Sequence, residues 1–304
     1  MTSGDSATNI TTVDWPYSDE DTALTGVLCR DEALPGKRPG VLLVHGGAGL
    51  DRHALGQARR YAALGYVVFA CDMLGDGVAG DRDRVIGRLM ALRDDPPAMV
   101  RRARAGLTAL SRCPGAGGPV AAIGFCFGGM VALTLARSGE PMAGAVSIHG
   151  SLATTARAEP GAVRARLLVC HGALDPHVPL SDVTAFAEEM NTAGADWQLI
   201  MYGGALHGFT HAEAPPGAVP GVAYHPLADS RSFAATRDFL TGVFASGASG
   251  KGAVTSHLRL PARGTWPAIT SLANPVALDA RRYVIDASDD VFAVRLFPQR
   301  HVSA

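Results

Sequence analysis

Gly124-Phe125-Cys126-Phe127-Gly128-Gly129 sets a thiol between glycines, directly after the apolar run 119–123 and directly before the helix-like run 130–136. Strand, tight glycine-bracketed turn and helix is the setting of a nucleophile elbow, in which a strained central residue is pushed out of the sheet. Glycine at 124 and 128 lets strand and helix cross closely. The pattern G-x-C-x-G therefore predicts Cys126 as a thiol nucleophile. A buried structural cysteine is the competing reading, because free cysteine is among the most buried residue types. A base and an orienting acid decide between the two.

Both follow in the chain. The apolar strand-like run 166–170 leads into His171-Gly172-Ala173-Leu174-Asp175, and the run 197–202 leads into Gly203-Gly204-Ala205-Leu206-His207-Gly208. Asp175 and His207 thus each fall in a loop beyond a strand's carboxyl end, where active sites of open α/β sheets gather. Nucleophile, acid, histidine is the chain order of the α/β-hydrolase arrangement. A free thiol has a pKa near about 8.5, so an imidazole must take its proton and a carboxylate must fix that imidazole's tautomer. The expected roles are Cys126 as nucleophile, His207 as general base then acid, and Asp175 as orienter. The backbone N–H of Phe127 is one expected oxyanion donor. The loop His45-Gly46-Gly47-Ala48-Gly49, after the strand-like run 40–44, supplies a second, assigned to Gly47.

These segments resemble the dienelactone hydrolase family: the elbow GFCFGG, residues 171–176 and residues 203–210. Residues 64–77, 223–226 and 232–235 are similar to that family as well, and the resemblance covers roughly residues 10–245. It implies an α/β-hydrolase fold, a mostly parallel sheet with helices on both faces, and a Cys-Asp-His triad acting on esters or lactones. It also implies that no metal or organic cofactor takes part. Members often carry Glu after the residue matching His45, where this chain has Gly46. They also use arginines to hold a substrate carboxylate, and the position four beyond the histidine, often Arg, is His211 here. Arg82 and Arg84 follow Asp76 without matching the other arginine. His45, Gly46 and His211 are accordingly the candidates for substrate contact.

The elements that must position these groups alternate as α/β order requires. Residues 10–15 and 23–29 read as two antiparallel strands. The runs 41–44, 67–71 and 144–148 read as buried strands, continuous rather than alternating. Helical spacing covers 53–64, 83–110 with a break at Pro96-Pro97, 181–193 and 229–244; Ser181 is the candidate cap of the third. The arginines at 101, 102 and 104 are assigned to a solvated helix face. Loop 211–228 is long, Pro/Gly-rich and expected to border the pocket. The hydrolase domain is expected to span 1–245. Residues 246–304 form a C-terminal extension of open role, docked as a hairpin of 283–285 and 291–294 or disordered.

The chain's 304 residues are 47% hydrophobic and 18% charged, which fits an ordered globule. A net charge of -1 gives no electrostatic case for nucleic acid or anionic membrane, so the expected partner is a small-molecule ester or lactone. Five scattered cysteines make neither a zinc spacing nor a disulfide framework. A thiol nucleophile suits a reducing compartment, and residues 1–9 carry neither basic start nor apolar core, so a cytoplasmic enzyme is expected. Three other readings stand beside hydrolysis. An acyl-enzyme can be intercepted by an alcohol or amine, giving a transferase. A silent hydrolase fold can serve as a ligand-binding module. His207 and His211 at i, i+4 can pair as metal ligands on a helix, which Gly208 opposes.

Overall fold

Continuous apolar runs build a central sheet whose strands are buried on both faces. The computed structural model describes residues 9–75, 77, 78, 80–214, 217, 219–248, 283–286 and 293–296. Strands β1 (Ile10–Asp19) and β2 (Thr22–Asp31) form an antiparallel hairpin, and β2 pairs antiparallel with β4 (Val67–Cys71). From there β4, β3 (Arg38–Val44), β5 (Ala116–Phe125), β6 (Gly144–Ile148), β7 (Arg166–Gly172) and β8 (Trp197–Tyr202) run parallel, in that spatial order. This is the α/β-hydrolase architecture read from the sequence. At the far edge the backbone of β10 (Ala293–Leu296) pairs antiparallel with β8, and β9 (Tyr283–Asp286) pairs antiparallel with β10. Of the sequence expectations for 246–304, the remainder lies outside the described residues.

Alternate residues of one strand feed two opposite cores. Leu42 and Val44 belong to the core that α3 (Pro96–Arg112), α4 (Phe127–Arg137) and α5 (Leu180–Thr192) cover, whereas Val41 and Leu43 belong to the one covered by α1 (Arg52–Ala62) and α6 (Pro226–Ala248). The period-two geometry of a strand makes this division automatic. Asp51 caps α1 by accepting the Ala54 N–H at 2.9 Å. The break expected at Pro96-Pro97 separates α2 (Arg82–Asp94) from α3, and Asp95 ends the first helix while capping the second through the Ala98 N–H. Proline in the first turn of α3 loses no intrahelical bond.

Three sequence readings need correction. Ser181 does not cap α5: the cap position is Pro179, without a side-chain bond, and Ser181 lies in the first turn. Arg102 is not on a solvated face. Its guanidinium is buried, with Nε 2.6 Å from Asp19 Oδ2 and Nη1 donating to the Met73 carbonyl, so it ties the β1–β2 turn to the loop after β4. Arg101 shares Asp19 as a partner. The closing helix also begins earlier than expected, at Pro226, and runs to Ala248.

The registry sets up the site. Gly124 lies level with Val44 on one side and Ser147 on the other. The carboxyl ends of β3, β5 and β6 therefore finish together, and His45, Cys126 and His149 emerge side by side.

Candidate active site

Cys126 has φ 53° and ψ −114°, a positive φ that a non-glycine residue keeps only where its surroundings enforce it. The enforcement is close packing of backbone. A Cβ on Gly124 would lie 1.9 Å from Gly128 O, and one on Gly128 would lie 2.2 Å from Val44 O. Only glycine permits that crossing. The Cys126 N–H is shared between Ile148 O at 3.0 Å and His149 Nδ1 at 3.1 Å.

Asp175 lies in the turn beyond β7, its N–H on Gly172 O at 3.1 Å. Its Oδ1 accepts the His177 N–H at 2.8 Å, which leaves Oδ2 to face His207 Nδ1 at 2.8 Å. His207 follows β8 and is held by the returning loop. Its N–H donates to Gly221 O and its carbonyl accepts the Ala223 N–H, both at 3.1 Å. From there His207 Nε2 reaches Cys126 Sγ at 3.1 Å. The structure thus brings together the three residues singled out from the sequence. Loop 211–228 borders them through residues 219–223, with His177 Nε2 donating to Pro220 O at 3.0 Å.

The charges follow from these contacts. Burial pushes the Cys126 thiol up, but the hydrogen bond and charge of His207, with the N–H groups of Phe127 and Gly47, more than offset it and the thiol lies below its ordinary value. Burial pulls His207 down, yet the Asp175 and Cys126 partners win and push it up to about 10. Asp175 is pushed up by burial and held lower overall by His207 and the His177 N–H. The Cys126 and His207 shifts both favour a thiolate–imidazolium pair over the neutral one. Elsewhere burial pushes Cys29 and Cys113 up to about 11 and Cys170 up to about 12. All five cysteines are unbridged, and Cys126 alone is not fully buried.

The N–H groups of Phe127 and Gly47 both act on the sulfur, so two donors already face the space beside it. His45 explains the second. It is fully buried, with Nε2 accepting the Met73 N–H at 3.1 Å and Nδ1 donating to Gly46 O at 2.7 Å. Turning the Gly46 carbonyl away turns the next N–H, that of Gly47, towards Cys126, because a trans peptide points its two polar groups in opposite directions. His45 therefore cannot touch substrate as expected from the sequence; both of its nitrogens are engaged with backbone.

Gly46 and His211 share one wall. A Cβ on Gly46 would lie 3.6 Å from Cys126 Cβ and 3.9 Å from His211 Nε2, so the imidazole fills space beside the thiol that a side chain at 46 would approach. Burial holds His211 below its ordinary value, and it stacks on His53 with ring centroids 3.6 Å apart. Behind them a groove of about 490 Å³ is lined by Asp51, Arg52, Gln57, Thr210 and Glu213. Arg84 is exposed, and its guanidinium donates to Gly77 O at 2.7 Å. His207 forms an isolated bridge with Val222 and residues 208–210 form a turn, so His207 and His211 lack the facing of a helical metal pair, and among the described residues no group of three or more His, Cys, Asp or Glu is arranged to hold a metal ion.

Sequence reading missed His149, His53 and Thr210. His149 is buried at φ 41° directly after β6, and its Nε2 lies 2.8 Å from Thr210 Oγ1, which lies 2.9 Å from His53 Nε2. A signal was present: His45, His149, His171 and His207 each precede glycine, and each lies at or just beyond a strand's carboxyl end.

Known proteins share this framework. A structure described as m3DLH is 39% identical, with a TM-score of 0.73, covering 78% of this chain and 99% of its own. The dienelactone hydrolase-like promiscuous phosphotriesterase P91 from metagenomic libraries is 36% identical, with the same TM-score and coverage. A protein of Caenorhabditis elegans, "Uncharacterized protein K02A2.1", is 38% identical over 127 residues, which is 41% of this chain and 80% of that one. The model of the dienelactone hydrolase family matches residues 24–244, and the chain belongs to that family of hydrolases.

Proposed function

We propose that the protein hydrolyses carboxylic esters or lactones through an acyl-cysteine intermediate. The observation that carries this reading is the continuous contact from Asp175 through His207 to the Cys126 sulfur, at 2.8 and 3.1 Å. The thiolate attacks the carbonyl carbon, and the oxyanion that forms meets the N–H groups of Phe127 and Gly47. The bond to the leaving oxygen breaks as His207 Nε2 gives that oxygen its proton, leaving a thioester. Water then attacks the thioester, His207 takes one of its protons, and the sulfur departs as thiolate, releasing the carboxylic acid, which ionises in solvent. Gly46 leaves the thiol without a neighbouring carboxylate at that position, so activation falls to His207 alone.

Turnover of a short aryl ester and a panel of small lactones by wild type and Cys126→Ala tests this. Wild type should turn over at least one of them, and the variant should lose that activity by a factor on the order of 10⁴ or more while melting at the wild-type temperature. Equal rates would end the proposal. An added alcohol that diverts product to a new ester would identify acyl transfer in place of hydrolysis. Slow alkylation of Cys126, no faster than that of the buried cysteines, would favour a ligand-binding role instead.

The likeness to a protein described as a promiscuous phosphotriesterase favours one second reading, thiolate attack at the phosphorus of an uncharged triester. The neutral imidazole wall of His53 and His211 suits an uncharged substrate better than a carboxylate. A dialkyl aryl phosphate belongs in the same panel, with release of the aryl alcohol as readout.

Residues 1–245 are read as the hydrolase unit and 246–304 as an extension beyond the matched span. Among the described residues no helix is long and apolar enough to cross a membrane. A reducing, cytoplasmic setting suits a thiol nucleophile and five unbridged cysteines.

A further inference from the structure

We propose that His149 is a positioning residue for the nucleophile: its Nδ1 holds the Cys126 backbone N–H, and Thr210 and His53 lock it in the tautomer that can do so. The inference rests on the thiol reading above and adds to it a group outside the triad.

Proton counting gives the relay one direction. A backbone N–H can only donate, so His149 Nδ1, 3.1 Å from the Cys126 nitrogen, carries no proton. The ring's hydrogen is then on Nε2, which donates to Thr210 Oγ1 at 2.8 Å. The Thr210 hydroxyl has its own hydrogen left to give, and it lies 2.9 Å from His53 Nε2. His53 Nε2 also faces the Gln57 Nε2 amide donor at 3.5 Å, so it accepts and the ring's hydrogen lies on Nδ1, a buried atom with no hydrogen-bond partner among the described residues, in the ring that stacks on His211. Reversing the His149–Thr210 bond would put the ring's hydrogen on Nδ1, against the Cys126 N–H.

Two strained residues meet at this contact. Cys126 has φ 53° and His149 has φ 41°, the only positive values between β4 and β8 among described non-glycine residues. His149 keeps the ladder through its N–H on Cys170 O at 2.8 Å, and the kink that follows lays its ring beside the elbow, where the edge of Phe209 packs on it at 5.0 Å between centroids. Histidine is enriched in this left-handed region, as asparagine is. With Ile148 O as the other acceptor, the Cys126 amide is gripped from two sides, which fixes the direction of its Cα–Cβ bond and so the arc from which Sγ meets His207. His149 is wholly buried, so it acts on kcat through geometry and does not touch substrate.

Substitutions at 149 separate backbone strain from the hydrogen bond. Glycine and asparagine both accept a positive φ, but only asparagine places an acceptor oxygen where Nδ1 lies. Steady-state ester hydrolysis by His149→Gly should show kcat reduced about tenfold, the equivalent of one hydrogen bond, with KM within about twofold of wild type. His149→Asn should recover kcat to within about threefold. Thr210→Val, which leaves His149 in place but removes its lock, should lower kcat several-fold, and Thr210→Ser should restore it. Thermal melts establish that each variant is folded; if His149→Gly fails to fold, the Thr210 pair decides. Asparagine no better than glycine, or valine at 210 with wild-type kcat, would overturn the proposal. Full activity in Cys126→Ala would instead overturn the thiol reading beneath it.

Discussion

On one side of Cys126, His207 sets its distal nitrogen against the Asp175 carboxylate; on the other, His149 sets its distal nitrogen against the Thr210 hydroxyl. The two rings are 5.4 Å apart, and burial pulls both downwards. Yet His207 is pushed up to about 10, while His149, held down by burial first and by the charge of His207 next, falls well below the ordinary imidazole range. Burial does not decide which histidine carries charge here. The group behind the ring does: an anion supports an imidazolium, and a hydroxyl supports only a neutral tautomer. A site can thus hold a proton carrier and a fixed acceptor of the same residue type within one contact shell.

Exchanging the backing groups breaks the comparison most sharply. Asp175→Asn should lower kcat/KM by roughly 10²–10⁴-fold, because the amide cannot sustain the imidazolium and selects the wrong tautomer. Thr210→Val should cost far less, and equal losses would show that the two arms are equivalent. The next largest effect is on pH dependence. As pH falls through the depressed Cys126 value the sulfur gains a proton and attack is lost. As pH rises through about 10 His207 loses the proton that the leaving group needs. Wild-type kcat/KM should therefore be bell-shaped with its alkaline limb near 10, and in Asp175→Asn that limb should move down towards the ordinary imidazole range.

Thiol labelling sharpens the contrast further. At neutral pH iodoacetamide should modify Cys126 at least about tenfold faster than the buried cysteines, followed by peptide mass analysis, and His207→Ala should abolish the difference. The smallest effect is expected at Gly46. Glutamate there would bring an anion towards Cys126 and His211, disfavour the thiolate, and raise the acid limb, with a roughly 2–5-fold loss at mildly acidic pH. An unchanged limb would show that a carboxylate at 46 does not sense the thiol.

The elbow and the order of strands were legible because they depend on local spacing: glycines at 124 and 128, apolar runs before Cys126, Asp175 and His207, and a turn after each. The buried ion pair of Arg102 and Asp19 was not, since the partners are 83 positions apart and an arginine in a basic helical run looks solvated. His149 was missed for a related reason. Its role depends on a positive φ and on registry between β5 and β6, neither of which a sequence displays. His45 was located correctly in the loop beside the thiol but assigned outward, whereas its two nitrogens face backbone.

The loop that returns along His207 has a consequence for anyone reshaping this protein. Because Gly221 and Ala223 grip the histidine's own peptide groups, swapping that segment to admit a new substrate would also shift the base. Selectivity is better redesigned from the opposite bank, at Arg52 and Glu213, where the lining can change while His207 stays at its post.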